Sequence, residues 1–266
     1  PNIEKKINDN ITEFKILIEL FKKAKYSFVD AINFDSFFDG IKHQLNYFNE
    51  VEITKEFNLK TKNIDYLSCP EIIRHSNDVI IQSFENGLNY YKFIEKYPDL
   101  YIKAKIIALK SLFYMVFVLR ISHTDCHNGN ILYSLDEKDE IHITFIDFGF
   151  SNKISKEERD SFGNLLKSVN FRNKNLFFES ILNCCNNDIK LELILDKLKN
   201  FNLDIFFTIK SNQDNQNSFC MIKDTMIILK NQNIEINNNI LNILVNMALI
   251  VENLDQKLEH TIFDYC

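Results

Sequence analysis

His123, Asp125 and Asn130 stand in the spacing H-x-D-x-x-x-x-N, and Asp147-Phe148-Gly149 follows after a short intervening segment. This ordered pair of motifs constrains the chain more than any other feature. An aspartate beside a reacting hydroxyl accepts or orients its proton, while an asparagine five residues later and the aspartate of D-F-G share the magnesium ions that neutralise phosphates. Between the motifs, Ile131 to Leu135 reads as a strand, Asp136-Glu137-Lys138-Asp139-Glu140 as a polar turn, and Ile141 to Ile146 as a second strand. Pairing Asp136 with Ile141 sets Asn130 opposite Asp147. Two oxygen ligands then share the open end of one hairpin, as a small hard cation needs. A one-residue slip would turn one of them away.

Each motif alone is common by chance. The two histidines around Cys126, His123 and His127, offer a metal-site alternative, but their spacing matches no zinc pattern. Both motifs in order, across a strand–turn–strand, point to a kinase-type site.

Net charge of −6 leaves no basic stripe for nucleic-acid phosphates. Magnesium would therefore offset nucleotide charge locally. With 266 residues and 45% hydrophobic content, the chain has room for one large domain or two lobes with substantial cores. Six cysteines at 69, 126, 184, 185, 220 and 266 form no C-x-x-C pair. They read as reduced thiols of a reducing compartment, the cytoplasm or an organellar matrix. Ser111 to Leu119 is apolar but bounded by Lys110 and Arg120, and Ile240 to Val251 is interrupted by Asn242 and Asn246. Both are expected to be buried helices, and no transmembrane segment is expected. A start at Pro1 without a charged n-region predicts further residues upstream.

Ile3, Ile7, Ile11, Phe14, Ile18 and Phe21 recur at helical spacing, and a second such pattern runs from Phe34 to Phe57. Short β-like runs from Glu71 to Arg74 and Asp78 to Phe84 flank His75-Ser76-Asn77, and Gly87 closes that hairpin. Leu100 to Arg120 reads as one long helix leading into the motif loop. After Gly149, helices are expected over Lys156–Val169, Asn175–Cys185, Ile189–Leu198, Phe219–Lys230 and Ile234–Leu258, with a polar loop at Ser211–Asn217. Of the five glycines, Gly129 and Gly149 fall in the motifs, where tight turns beside a ligand are expected. These residues contain no G-x-G-x-x-G and no lysine on a leading strand.

His-Thr-Asp-Cys-His-Asn-Gly-Asn at 123–130, with Phe145-Ile146-Asp147-Phe148-Gly149 after it, resembles the H-A-D-P-H-P-G-N and D-F-G of the UbiB family of atypical kinase-like proteins. The resemblance extends along most of the chain. Pro1-Asn2-Ile3-Glu4-Lys5-Lys6-Ile7 is similar to the family's R-P-G-I-x-x-x-I. Gln44 to Glu50 is similar to its L-D-x-x-x-E helix, Cys69-Pro70-Glu71-Ile72 to its V-P-x-V, and Ala248 to Leu258 to its tail helix. The family is associated with ubiquinone biosynthesis and organelle lipid metabolism. The resemblance implies ATP and Mg2+ as cofactors, a nucleotide as partner, and lipid or lipid-pathway proteins as further partners. It makes Asp125 the catalytic aspartate, Asn130 and Asp147 the metal ligands, and Glu50 the ion-pair partner of a lysine upstream of Pro1. It places Gln82, Ser83 and Phe84 at the adenine hinge, with Ser83 where the family has glutamate. His123, His127, Gly129, Phe148 and Gly149 would support the loop. Cys126 and Asn128 replace two family prolines, loosening the loop while leaving its ligands intact.

The expected fold is α+β, mostly α: a protein-kinase-like fold with a truncated small lobe and a helical large lobe. Residues 1–87 would form the partial small lobe of helices and a β hairpin, and residues 88–266 the large lobe with the catalytic loop and D-F-G. The expected activity is that of an ATPase or a small-molecule or lipid-pathway phosphotransferase. No A-P-E motif follows Gly149, which disfavours peptide substrates. A pseudokinase-type nucleotide-binding scaffold is one alternative. An aminoglycoside- or choline-kinase-like phosphotransferase, sharing H-x-D-x-x-x-x-N, is a second, disfavoured by the two terminal helices.

Overall fold

The structure is a computed structural model and describes residues 3–23, 47–123, 125–171, 173–185 and 236–251. In chain order its elements are α1 (Ile3–Lys23), α2 (Tyr47–Thr61), β1 (Leu67–Ser68), β2 (Ile72–His75), β3 (Ile80–Gln82), α3 (Tyr90–Lys96), α4 (Tyr101–Phe113), β4 (Ile121–His123), β5 (Ile131–Leu135), β6 (Ile141–Phe145), β7 (Ser151–Lys153), α5 (Lys156–Asn170), α6 (Lys174–Asn183) and α7 (Asn238–Val251). The class is α+β and mostly helical. Expected helices over 189–198 and 219–230, the loop at 211–217 and the start of the second helix at Phe34 lie outside the described residues.

The motif-bearing strands pair antiparallel, as the short turn between them requires, and β1 joins β6 in parallel to give the sheet order β1-β6-β5. Ile131, Tyr133, Ile141, Ile143 and Phe145 face the core from this sheet. The predicted β2–β3 hairpin is also present, with an irregularity between Ile72 and Arg74. From its end the backbone runs to Leu88, which exchanges hydrogen bonds of 2.9 and 2.8 Å with Tyr133 of β5. That contact explains Gly87: a Cβ there would lie 2.8 Å from the Leu132 Cβ.

The register of β5 and β6 differs by one residue from the expected one. Leu135 pairs with Ile141, and Ile131 with Phe145. The turn is the cause. Asp136 donates its backbone N–H to the Glu140 carbonyl, and its Oδ1 accepts from the Lys138 and Glu140 amides, each at 2.8 Å. Asp139, at φ 59°, supplies the left-handed residue such a closure needs. The hairpin thus closes at Asp136 and Glu140, not at Asp136 and Ile141. Those two amides also hold the exposed Asp136 carboxyl below its usual range.

The long helix expected to reach Arg120 is also subdivided. A 3₁₀ turn at Pro98–Leu100 precedes α4, and Tyr114–Leu119 winds as a π-helix that ends at left-handed Arg120. Phe117 in the wide turn stacks on Phe162 of α5 at 5.6 Å. Past β7, Ser155 and Glu158 form a reciprocal capping box at 2.7 and 3.0 Å that starts α5 where the sequence placed it. The last helix begins later than its apolar pattern suggested. Ile236 bridges to Cys185, and Asn237 caps the helix by accepting from the Asn239 amide at 2.8 Å.

One core joins these pieces. It runs from Ile53 and Phe57 of α2 through Ala104, Ala108 and Leu112 of α4 to the sheet, and on to Ile240, Ile243 and Ile250 of α7. No helix among the described residues is long and apolar enough to cross a membrane. Cys69, Cys126, Cys184 and Cys185 are unbonded thiols, and burial pushes those of Cys69 and Cys184 up to about 12.

Candidate functional site

β4 delivers His123 into the core, where it is fully buried beside Phe148 (5.3 Å) and Phe145 (6.0 Å). Burial lowers the affinity of its ring for a proton, and Nε2 meets the Ile146 carbonyl at 3.4 Å. The imidazole therefore acts as an uncharged prop between the two motifs. β4 also pairs with β7, setting His123 opposite Ser151, so the strand before the first motif and the strand after D-F-G are neighbours.

The loop that follows folds on its own polar groups. The Asn130 amide N–H donates to the His127 carbonyl at 2.9 Å. The Asn130 Nδ2 donates to the Asp125 carbonyl at 2.9 Å and lies 3.4 Å from its Oδ2. With Nδ2 so engaged, the Asn130 atom suited to a cation is Oδ1. His127 Nδ1 accepts from the Gly129 N–H at 2.9 Å, which leaves Nε2 as the donor, 3.6 Å from Asp125 Oδ2. Gly129 is needed for this approach and not for an unusual φ: a Cβ would meet the His127 ring at 2.7 Å.

The register slip alone would carry Asp147 away from Asn130. The Ile146 N–H, one residue earlier, is the group that bonds the Asn130 carbonyl, at 3.0 Å. Asp147 itself takes φ 63°, which breaks the strand alternation, and its Oδ1 accepts from the Gly149 N–H at 3.2 Å. The left-handed φ thus takes the Asp147 carboxylate off the regular strand alternation and beside the Gly149 N–H. A Cβ on Gly149 would lie 3.2 Å from Asp147 Oδ1 and 3.4 Å from Glu50 Oε2. The glycine is where the two carboxylates converge, again without a positive φ.

Glu50 comes from the first turn of α2. Phe57 anchors that helix against Phe148 (5.0 Å) and Phe145 (6.3 Å). Asn49 Nδ2 donates to the Ser151 carbonyl at 3.2 Å, and Lys153 pairs with Glu52 and Glu56 at 2.7 and 3.0 Å. α2 is thereby fastened to the segment after Gly149. Burial, and then the charge of Asp147, raise the Glu50 carboxyl to about 7. Among the described residues Glu50 makes no ion pair.

A pH dependence follows. With its folded value raised from 4.5 to about 7, Glu50 binds more protons in the folded than in the unfolded chain between those limits. Its contribution to stability is full below the lower value and is lost as pH rises through the upper one. In chelator, Glu50→Gln should flatten the fall in Tm between about pH 5 and pH 8 and leave the variant about 2–4 °C above wild type at the alkaline end. Parallel Tm–pH curves for the two chains would contradict the carboxylate pair.

Gln82 ends the β2–β3 hairpin, and Ser83 and Phe84 follow it. Ser83 Oγ accepts from the Glu71 amide at 2.8 Å and donates to Glu85 at 2.5 Å, while Gln82 and Phe84 are exposed. Among the described residues no hydrogen bond or ion pair links these three to Asp125, Asn130 or Asp147. Sequence reading overlooked Asn246 of α7, which it took only as a break in an apolar run. Its Nδ2 donates to the His123 carbonyl, and its Oδ1 accepts from the Cys126 N–H at 3.3 Å. The available signal was an asparagine in register with buried Ile243 and Ile250, a position that demands polar partners.

Residues 1–181 match the ABC1 atypical kinase-like domain. A curated protein of Clostridium pasteurianum, described as an uncharacterized protein in the hydrogenase 1 5′ region, is 26% identical over 181 residues. That match takes in 64% of this chain and 33% of the relative, so the chain spans about a third of that protein's length. Among solved structures, the complex of Rv3197 with erythromycin from Mycobacterium tuberculosis aligns with a TM-score of 0.47 and 14% identity, over 93% of this chain and 67% of that one.

Proposed function

The chain belongs to the ABC1 atypical kinase-like family, and we propose that it binds ATP with magnesium and transfers the terminal phosphoryl group to water or to a small-molecule or lipid-pathway acceptor. The observation that carries this reading is the gathering of Asp125, Asn130 and Asp147 around one hairpin end, through the Asn130–Asp125 and Ile146–Asn130 hydrogen bonds. Asp125 would orient the acceptor hydroxyl or water and receive its proton. Asn130 Oδ1 and the Asp147 carboxylate would hold the cation.

The donor set fits magnesium. All its atoms are oxygens, and burial, with the Asp147 charge beside it across Gly149, raises Glu50 to about 7. Bound magnesium would neutralise phosphate oxygens in the reaction. Glu50 is proposed as the partner of a lysine preceding Pro1, which would hold the α- and β-phosphates. The strand end at Gln82-Ser83-Phe84 is proposed to meet adenine through its backbone. Residues 1–87 and 88–266 are proposed as the two lobes enclosing the nucleotide, with quinone or lipid metabolism as the setting.

A second reading is a nucleotide-binding scaffold without turnover, favoured by the absence of a cationic partner for Glu50 among the described residues. Single-turnover hydrolysis of ATP by the chain extended upstream through a lysine-bearing strand separates the two. The proposal expects phosphate release dependent on magnesium. Stoichiometric nucleotide binding with no phosphate released would favour the scaffold.

A further inference from the structure

We propose that Asn246, which lies beyond the residues matched by the kinase-like domain, is a positioning residue that pins the Asp125 loop to the last described helix. The inference rests on the functional reading above for its consequence, but its geometry stands apart from it. The carboxamide grips the backbone at two points, the His123 carbonyl and the Cys126 N–H, on either side of the segment that carries Asp125. Asn246 is 2% exposed, and Cys126 and His123 are buried with it.

A buried carboxamide matched to one carbonyl and one N–H does what a neighbouring strand would do: it satisfies both backbone groups and fixes their separation. Among the described residues the loop has few other ties to the body of the protein. Asn130 and His127 bond within it, and the two prolines expected from the family pattern are Cys126 and Asn128 here. The two Asn246 hydrogen bonds tie the loop from across the fold to α7. That helix is itself seated by Ile240, Ile243 and Ile250 in the core and by the Asn239–Glu158 hydrogen bond of 2.9 Å. Asn246 touches no substrate. It acts by holding Asp125 where the acceptor must come.

The test compares wild type, Asn246→Ala and Asn246→Asp in the chain extended upstream through the lysine-bearing strand. In Asn246→Ala, amide exchange at Cys126 should accelerate about tenfold or more, while the Tyr133 and Ile143 amides of the β5–β6 ladder stay unchanged. Single-turnover hydrolysis should fall about tenfold or more with magnesium–ATP affinity within about twofold, a split that general loosening of the fold would not give. Asn246→Asp offers a rescue. A buried aspartic acid that is protonated donates to the His123 carbonyl and accepts from the Cys126 N–H as the carboxamide does; once ionised it has no donor and repels that carbonyl. The variant should therefore protect Cys126 like wild type near about pH 6 and, as the repelled segment opens, lose protection relative to wild type near about pH 9. This comparison also serves if the alanine variant does not fold. Unchanged Cys126 exchange in folded Asn246→Ala, or no pH-dependent difference in Asn246→Asp, would overturn the pin. If wild type hydrolyses no ATP, the functional reading fails while the exchange data still decide the role of Asn246.

Discussion

Asp125→Asn should lower ATP turnover by about 10²–10⁴-fold and leave magnesium–nucleotide affinity within about twofold. The substitution keeps the shape and most hydrogen-bonding capacity of the side chain but removes its ability to take a proton. Asp125 is well placed to feel only that change. Its carbonyl and Oδ2 face Asn130 Nδ2, its Oδ2 faces His127 Nε2, and its side chain remains 42% exposed. Nothing in this arrangement makes it a cation ligand. Rate and affinity measured side by side on the upstream-extended chain check the division. A fall in affinity as large as the fall in rate would place Asp125 on the metal.

Phe148→Ala destabilises the chain by about 3–5 kcal/mol, a cavity cost expected for a large aromatic in a closed core. Phe148 is 1% exposed and packs between Phe57 of α2 and His123 of β4. It is the side chain through which the helix bearing Glu50 and the strand bearing His123 meet the D-F-G turn. Phe84, 88% exposed, is the matched control, and Phe84→Ala should stay within about 0.5 kcal/mol of wild type. Denaturant unfolding of both variants reads the difference. Similar losses for the two would show that Phe148 does not join the core described here.

The hairpin between the motifs was legible because two short runs rich in β-branched and aromatic residues flank a charge-dense turn. Its register was not, because the deciding interaction is the Asp136 side chain capping two turn amides, a choice that apolar periodicity does not encode. The compensating left-handed φ at Asp147 was equally hidden, since an aspartate gives no warning of φ 63° as a glycine would. Gly129 and Gly149 were singled out for turning; the structure shows close approach instead, of the His127 ring at Gly129 and, less tightly, of the Asp147–Glu50 pair at Gly149. Glu50 was recognised as the helix glutamate of the family pattern, and the structure brings it to Asp147. Asn246 was passed over because its partners lie more than a hundred residues away in sequence. Long-range pairing of a buried polar group with backbone leaves only its incongruity in an apolar helix as a trace.

The most direct test is a calorimetric titration of nucleotide into wild type, Asp125→Asn and Asp147→Asn, each with magnesium and with chelator. If Asp147 and Asn130 hold the cation and Asp125 addresses the acceptor, wild type and Asp125→Asn should bind alike in magnesium and lose most of that affinity in chelator. Asp147→Asn should bind weakly in both, by about tenfold or more, because a carboxylate ligand has been replaced by a neutral one. Equal affinity for all three proteins, or binding indifferent to magnesium, would contradict the account.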